Sequence, residues 1–375
     1  MFSRKVGNEV NAFLALLRAG LWEKEARLSL YENIDCEDIY RIAEEQSVIG
    51  LIAAGVEHLQ EKYFPKEELL ALVGAALKLE NRNVAMNSYL VDLIGKLREA
   101  NIYTILVKGQ GIAQCYERPL WRAAGDIDLL LSKDNYNKAD TFLRPIATKV
   151  ESEDRYKQHL SMSINDWEVE LHGTMRTSLW RTVDNCIDEV QEEIFYSGSV
   201  RSWMNGKTQI FLPNADADVI FVFTHILQHF FKEGIGLRQI CDWCRLLWTY
   251  RYKIDNKKLN KRLHAMGVVT EWKAFASLAV NLLGMPKDAM PFYDSSLRWK
   301  KKAERIMRFI IETGNFGHNR DYSYYNKHSR LRSKLISLWR HTDDGLRYSV
   351  IFPVDSMKVW CGMIRIGIKE LFVCN

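Results

Sequence analysis

The feature that most constrains this chain is a break in its hydrophobic period at Ile102. Before it, apolar residues recur at helical spacing. Phe13, Leu14, Leu16 and Leu17 make one face. Ile39, Ile42, Ile49, Leu51 and Ile52 make another, with Asp35 or Asp38 placed to cap it. After Pro65, residues 66–100 carry a long helical pattern through Leu69, Leu70, Val73, Leu77, Val84, Met86, Leu90, Leu93, Ile94 and Leu97. At Ile102 the run becomes short, apolar and β-branched, so residues 102–107 read as a buried strand ending in the turn Lys108-Gly-Gln-Gly111.

The alternation then repeats. A short helix is expected over residues 112–116, a second strand over 126–131 and a helix over 134–143. Residues 160–164 and 167–172 alternate and are joined by Asn165-Asp166, which predicts a hairpin. After a helix around 184–195, residues 199–204 meet 208–212 across Asn205-Gly206 in a second hairpin. From Ala215 the helical period resumes, interrupted near Gly314-Asn-Phe-Gly317 and at Pro353. The expected class is α+β. A small mixed β-sheet core over 101–213 lies between a helical N-terminal region, 1–100, and a helical C-terminal domain, 214–375.

Composition excludes several alternatives. With 375 residues, 47% hydrophobic and 26% charged, the chain is neither disordered nor fibrous. Seven cysteines form no disulfide framework, which points to a reducing, cytoplasmic setting. Cys241-Asp-Trp-Cys244 lies in a helical pattern without a second pair and reads as two ordinary helix residues. Arg18 interrupts the N-terminal apolar stretch, so it reads as an amphipathic helix rather than a signal peptide. No run reaches the ~20 apolar residues of a membrane span, and no membrane partner is expected. A net charge of +5 permits a nucleotide or nucleic-acid ligand without requiring one.

The chemistry concentrates in Gly125-Asp-Ile-Asp-Leu-Leu-Leu131. Asp126 and Asp128 are two positions apart, so on a strand both carboxylates face one way, ~6.6 Å apart along the backbone. In Trp167-Glu-Val-Glu-Leu-His172, alternation puts Glu168, Glu170 and His172 on one face. If that strand neighbours the first, Glu170 joins the two aspartates. Three hard oxygen donors suit Mg²⁺ or Mn²⁺. The glycine turn after a strand lets backbone N–H groups approach phosphate, with Lys108 and Arg122 to neutralise it. The GxxxxGK[ST] spacing of a Walker loop is absent.

Val107-Lys-Gly followed by Arg122-x-x-Gly-Asp-Ile-Asp-Leu-Leu resembles the uncharacterised nucleotidyltransferase family of the DNA polymerase beta-like nucleotidyltransferase superfamily. Residues 218–229, ending His225-Ile-Leu-Gln-His229, and Gly236-Leu-Arg238-Gln-Ile-Cys-Asp242 resemble that family's downstream helical motif. The resemblance implies metal-dependent transfer of a nucleoside monophosphate from an NTP to an acceptor hydroxyl on a protein, small molecule or RNA. Asp126, Asp128 and Glu170 would be metal ligands and catalytic groups. Lys108, Gly109, Gln110, Gly111 and Arg122 would lie at the nucleotide, with His229 and Arg238 as further candidates.

Other readings stand beside these. His225 and His229, at i and i+4, read as core or pocket histidines bonded to neighbours, and Arg238 with Asp242 as an ion pair. The basic, aromatic stretch 318–347 reads either as a helix with a solvated basic side or as a nucleic-acid surface. The alternative function is a catalytically inactive nucleotide- or partner-binding module of the same fold.

Overall fold

The structure is a computed structural model that describes residues 4–31, 34–60, 64–198, 200–319, 336 and 342–373. The helical spacing before Ile102 forms four helices: α1 (Arg4–Trp22), α2 (Cys36–Glu45), α3 (Ile49–Glu57) and α4 (Lys66–Glu99). Of the two candidate caps for α2, Asp35 is the one used, its carboxylate accepting from the Glu37 N–H at 2.9 Å. α4 is 34 residues long and starts directly after Pro65. Its period was legible but its buried face was not, because Leu69, Leu70, Val73, Leu77 and Val84 are exposed while Leu72 and Ala76 are buried.

The first strand is shorter than its apolar run. Asn101 adopts φ +57°, and the N–H groups of Asn101 and Ile102 return to the carbonyls of Arg98 and Leu97. This is a Schellman end to α4, so Ile102 closes the helix and β1 covers only Ile105–Val107. α5 (Gly109–Ala113) begins three residues earlier than expected. It is followed by β2 (Ile127–Leu130), α6 (Lys133–Leu143), β3 (Lys149–Val150), β4 (His159–Ile164) and β5 (Trp167–His172).

These five strands form one mixed sheet in the order β1-β2-β5-β4-β3. β2 runs parallel to β5, and the other pairs are antiparallel. Asn165 and Asp166 both have positive φ, as a type I′ hairpin requires. After α7 (Arg181–Tyr196) comes the separate ribbon β6 (Val200–Asn205) and β7 (Thr208–Pro213). Its turn is displaced by one residue from the expected pair. Asn205 pairs with Thr208, leaving Gly206 at φ +59° and Lys207 as the loop.

The helices that follow include α8 (Ala215–Lys232), α9 (Leu237–Tyr250), α10 (Asn256–Met266), α11 (Val269–Asn281), α12 (Leu297–Thr313) and α13 (Pro353–Val373). Phe13, Leu16 and Leu17 of α1 belong to the same buried cluster as Phe223, Trp243, Trp272 and Phe275. Helices from both ends of the chain therefore share one core. A second core lies on one face of the sheet, where Leu90, Leu93 and Ile94 of α4 meet Leu129, Val169 and Leu171. The opposite face of β2 and β5 turns toward α8 and carries the polar groups.

Cys241 and Cys244 are free and buried within α9. Among the described residues, no helix is long and apolar enough to cross a membrane. Tyr322, Tyr324, Tyr325, Lys327, His328, Arg330, Arg332, Lys334 and Arg340 of the basic, aromatic stretch lie outside the described residues.

Candidate metal and nucleotide site

Register assembles the acids. Val107 pairs with Asp128 across β1 and β2, and Asp128 pairs with Glu170 across β2 and β5. Because β5 alternates, Val169 and Leu171 enter the core while Glu170 and His172 face the other way. Asp126 sits one residue before β2 rather than within it. The donor oxygens of Asp126, Asp128 and Glu170 nevertheless all lie within 4.8 Å of one another.

One cation already stands among them. Lys108 adopts φ +55° at the end of β1, turning the chain so that its Nζ reaches Asp128 Oδ1 at 2.6 Å. Burial opposes that charge, but Asp128, Asp126 and Glu170 together hold the lysine above its ordinary pKa. Asp126 titrates above the usual aspartate value, first because Asp128 repels it and second because it is buried. Glu170 is held far below the carboxylate range. Burial opposes this, and the hydrogen bonds from His159 and His172 outweigh it. His172 Nε2 lies 2.8 Å from Asp128 Oδ1, and His159 Nε2 lies 3.0 Å from Glu170 Oε2. Burial alone would lower the His172 pKa, yet its bonds to Asp128 and Glu170 raise it.

α8 forms the facing wall. Lys108 Nζ is 3.3 Å from His225 Nε2, His225 Nε2 is 3.1 Å from His229 Nε2, and His229 Nδ1 is 2.8 Å from Glu233 Oε2. Burial, reinforced by Lys108 and His229, drives the His225 pKa well below its ordinary value. A neutral His225 can then accept from Lys108. The histidines are thus pocket residues bonded to neighbours.

Between these walls lies a cavity of about 280 Å³, lined by Lys108, Asp126, Glu170, His172, His225 and His229 among others. It adjoins a smaller one of about 50 Å³ lined by Lys108, Gly109, Arg122, Asp126, Asp128 and Arg238. A larger, mostly apolar groove of about 410 Å³ runs along Val56, Leu69, Leu72 and Val73.

The sequence-predicted residues do not all converge. Arg122 reaches the smaller cavity, but its Nε and Nη2 bind Asp242 at 2.8 and 2.7 Å, leaving the buried Nη1 without a hydrogen-bond partner among the described residues. Asp242 also accepts from the Tyr116 hydroxyl at 2.7 Å. The expected Arg238–Asp242 ion pair is therefore replaced by Arg122–Asp242. Arg238 instead donates from Nη1 to the Ala123 carbonyl at 2.9 Å, and its buried Nε has no hydrogen-bond partner among the described residues.

Gln110 turns away from the cavities. It is buried and its amide donates to Asn83 Oδ1 at 3.0 Å, while Asn83 Nδ2 donates to the Leu120 and Arg122 carbonyls. It supports the loop rather than facing a ligand. Gly111 packs beneath the turn, where a Cβ would come 2.7 Å from Leu212 Cδ2. Sequence reasoning assigned no role to His159, or to His172 beyond placing it on the Glu170 face. The signal for His159 was its position in the hairpin, opposite His172.

Parallel neighbouring strands that gather three carboxylates, backed by a lysine at a strand-to-helix turn, define a polar, acidic pocket in an α+β fold. The chain belongs to the family described as uncharacterised nucleotidyltransferase, whose profile matches residues 32–284. No curated protein matches the chain, and neither does any solved structure. The matched region contains the lining residues from Lys108 to Asp242, while Phe316, which lines both cavities, lies beyond it.

Proposed function

We propose that this protein is a metal-dependent nucleotidyltransferase that moves a nucleoside monophosphate from an NTP to an acceptor hydroxyl. The observation that carries the proposal is the convergence of Asp126, Asp128 and Glu170 within 4.8 Å, at two adjoining cavities whose walls also bear Lys108, Arg122 and Arg238.

The donor set fits a hard divalent cation. No hydrogen bond to the Asp126 carboxylate is found among the described residues, and repulsion from Asp128 is the largest influence on it. A Mg²⁺ or Mn²⁺ ion held by Asp126, Asp128 and Glu170 would supply Lewis-acid stabilisation of charge at the transferred phosphoryl group. Lys108 neutralises phosphate oxygens at the mouth of the acid cluster. Arg122 Nη1 and Arg238 Nε, both buried and unpartnered, are donors suited to phosphate oxygens in the adjoining cavity. Gly109 lines that cavity without a side chain. Glu170, held ionised by His159 and His172, serves as a metal ligand, and His229 contacts the nucleotide from α8.

The test uses NTPs labelled at the α or the γ phosphate, with Mg²⁺ or Mn²⁺ and a cell extract as acceptor source. Label from the α position should appear in an acceptor, with pyrophosphate as co-product. Label appearing in the acceptor only from the γ position would make the reaction phosphoryl transfer. No transfer of either label, together with no cation-dependent NTP binding, would leave an inactive binding module.

A further inference from the structure

Two histidines beside the acids have no part in that reading. His159 Nε2 and His172 Nε2 approach the same oxygen, Glu170 Oε2, at 3.0 and 3.4 Å. The β4–β5 register pairs the two residues, and their rings lie 4.8 Å apart between centroids. His172 Nε2 is also 2.8 Å from Asp128 Oδ1. Protons satisfy this arrangement poorly. His172 Nε2 carries at most one hydrogen but faces two carboxylate oxygens, so one proton cannot serve both in full.

One cation satisfies it better. Ligand atoms ~2.1 Å from a common ion are about 3.0 Å apart at right angles and about 3.4 Å apart at the tetrahedral angle. The observed separations of 3.0 and 3.4 Å match ligands around one centre as well as they match hydrogen bonds, and all three donor atoms lie within 4.8 Å of one another. All three side chains line the larger cavity, so an ion there is reachable by a small ligand.

We propose that His159, Glu170 and His172 form a second cation site, which takes a divalent first-row transition ion in preference to Mg²⁺. Imidazole nitrogens bind the first-row divalent ions with affinity that rises from Mn²⁺ to Cu²⁺ and falls again at Zn²⁺, whereas Mg²⁺ favours oxygen and water. The site goes beyond the transfer reading and shares only Glu170 with the acid trio.

The test uses Cu²⁺ and Co²⁺ alone as probes, at one equivalent, on the full chain. Electron paramagnetic resonance of the wild-type Cu²⁺ form should show splitting from two nitrogen ligands. His159→Gln, at a half-buried position on β4, should remove one nitrogen from that signal and weaken Co²⁺ binding at least ~10-fold, since even outer-shell changes cost 10- to 100-fold. Thermal unfolding of the metal-free variant controls for its fold. Asp126→Asn should keep the two-nitrogen signal. A wild-type spectrum without nitrogen splitting overturns the proposal whatever the variant does. So does Co²⁺ binding to folded His159→Gln that is as tight as to wild type. Neither result touches the α-label assay, and a negative α-label assay leaves the spectrum standing.

Discussion

At Lys108 a single ammonium group bonds Asp128 and touches His225, with Asp126 and Glu170 also acting on it. The acid cluster is thus partly neutralised by its own chain. Asp242 does the same for Arg122 120 residues away, in a pair buried on both sides. Removing one partner of such a pair leaves a buried charge, which is why both belong to the core as much as to the site. Asp218 shows the opposite balance. Burial pushes its carboxyl up to about 6, against the pull of Arg201, to which it is ion-paired. Since its ordinary value is 3.8, its contribution to stability is present below about pH 4 and is lost as pH rises to 6. Denaturant unfolding of Asp218→Asn against wild type should show the variant gaining on the order of 3 kcal/mol relative to wild type between pH 4 and 6. A constant difference across that range would show that Asp218 ionises normally.

Among the elements, the α1–α3 crossing depends on absent side chains. A Cβ on Gly20 would lie 1.9 Å from the Leu51 carbonyl oxygen, and one on Gly55 would lie 2.1 Å from that of Leu16. The two glycines therefore let the helix backbones touch reciprocally. Gly50 of α3 does the same against the Trp121 carbonyl, one residue before Arg122. Gly55→Ala should force α1 and α3 apart and lower unfolding stability by ~1–3 kcal/mol, the usual cost of overpacking. An unchanged urea midpoint would contradict this packing. These glycines were illegible beforehand, because a glycine inside a helical period reads only as a weak helix residue. The hairpin at Asn165-Asp166 was legible, since that pair tolerates the positive φ its turn demands. The strand at 102–107 was legible as a type but not in length, because Asn101 spends two residues closing α4.

Over the whole molecule, the α+β class and the acid trio could be read from local pattern. Asp126, Asp128 and Glu170 each lie on or beside a short strand whose alternation fixes the direction of its carboxylate. Long-range partners could not be read, because no local period relates Arg122 to Asp242 or Gln110 to Asn83. His159 fell between these cases, with its register written in a hairpin but its chemistry visible only once Glu170 stood between two rings. The central claim is that the three acids work on a nucleotide, and the most direct test is pyrophosphate release measured with NTP, divalent cation and extract-derived acceptor. Wild type should release pyrophosphate only when the cation is present. Folded Asp126→Asn/Asp128→Asn should be slower by on the order of 10²- to 10⁴-fold, the several kcal/mol that a metal clamp supplies. Equal release by wild type and the folded double variant would contradict the account.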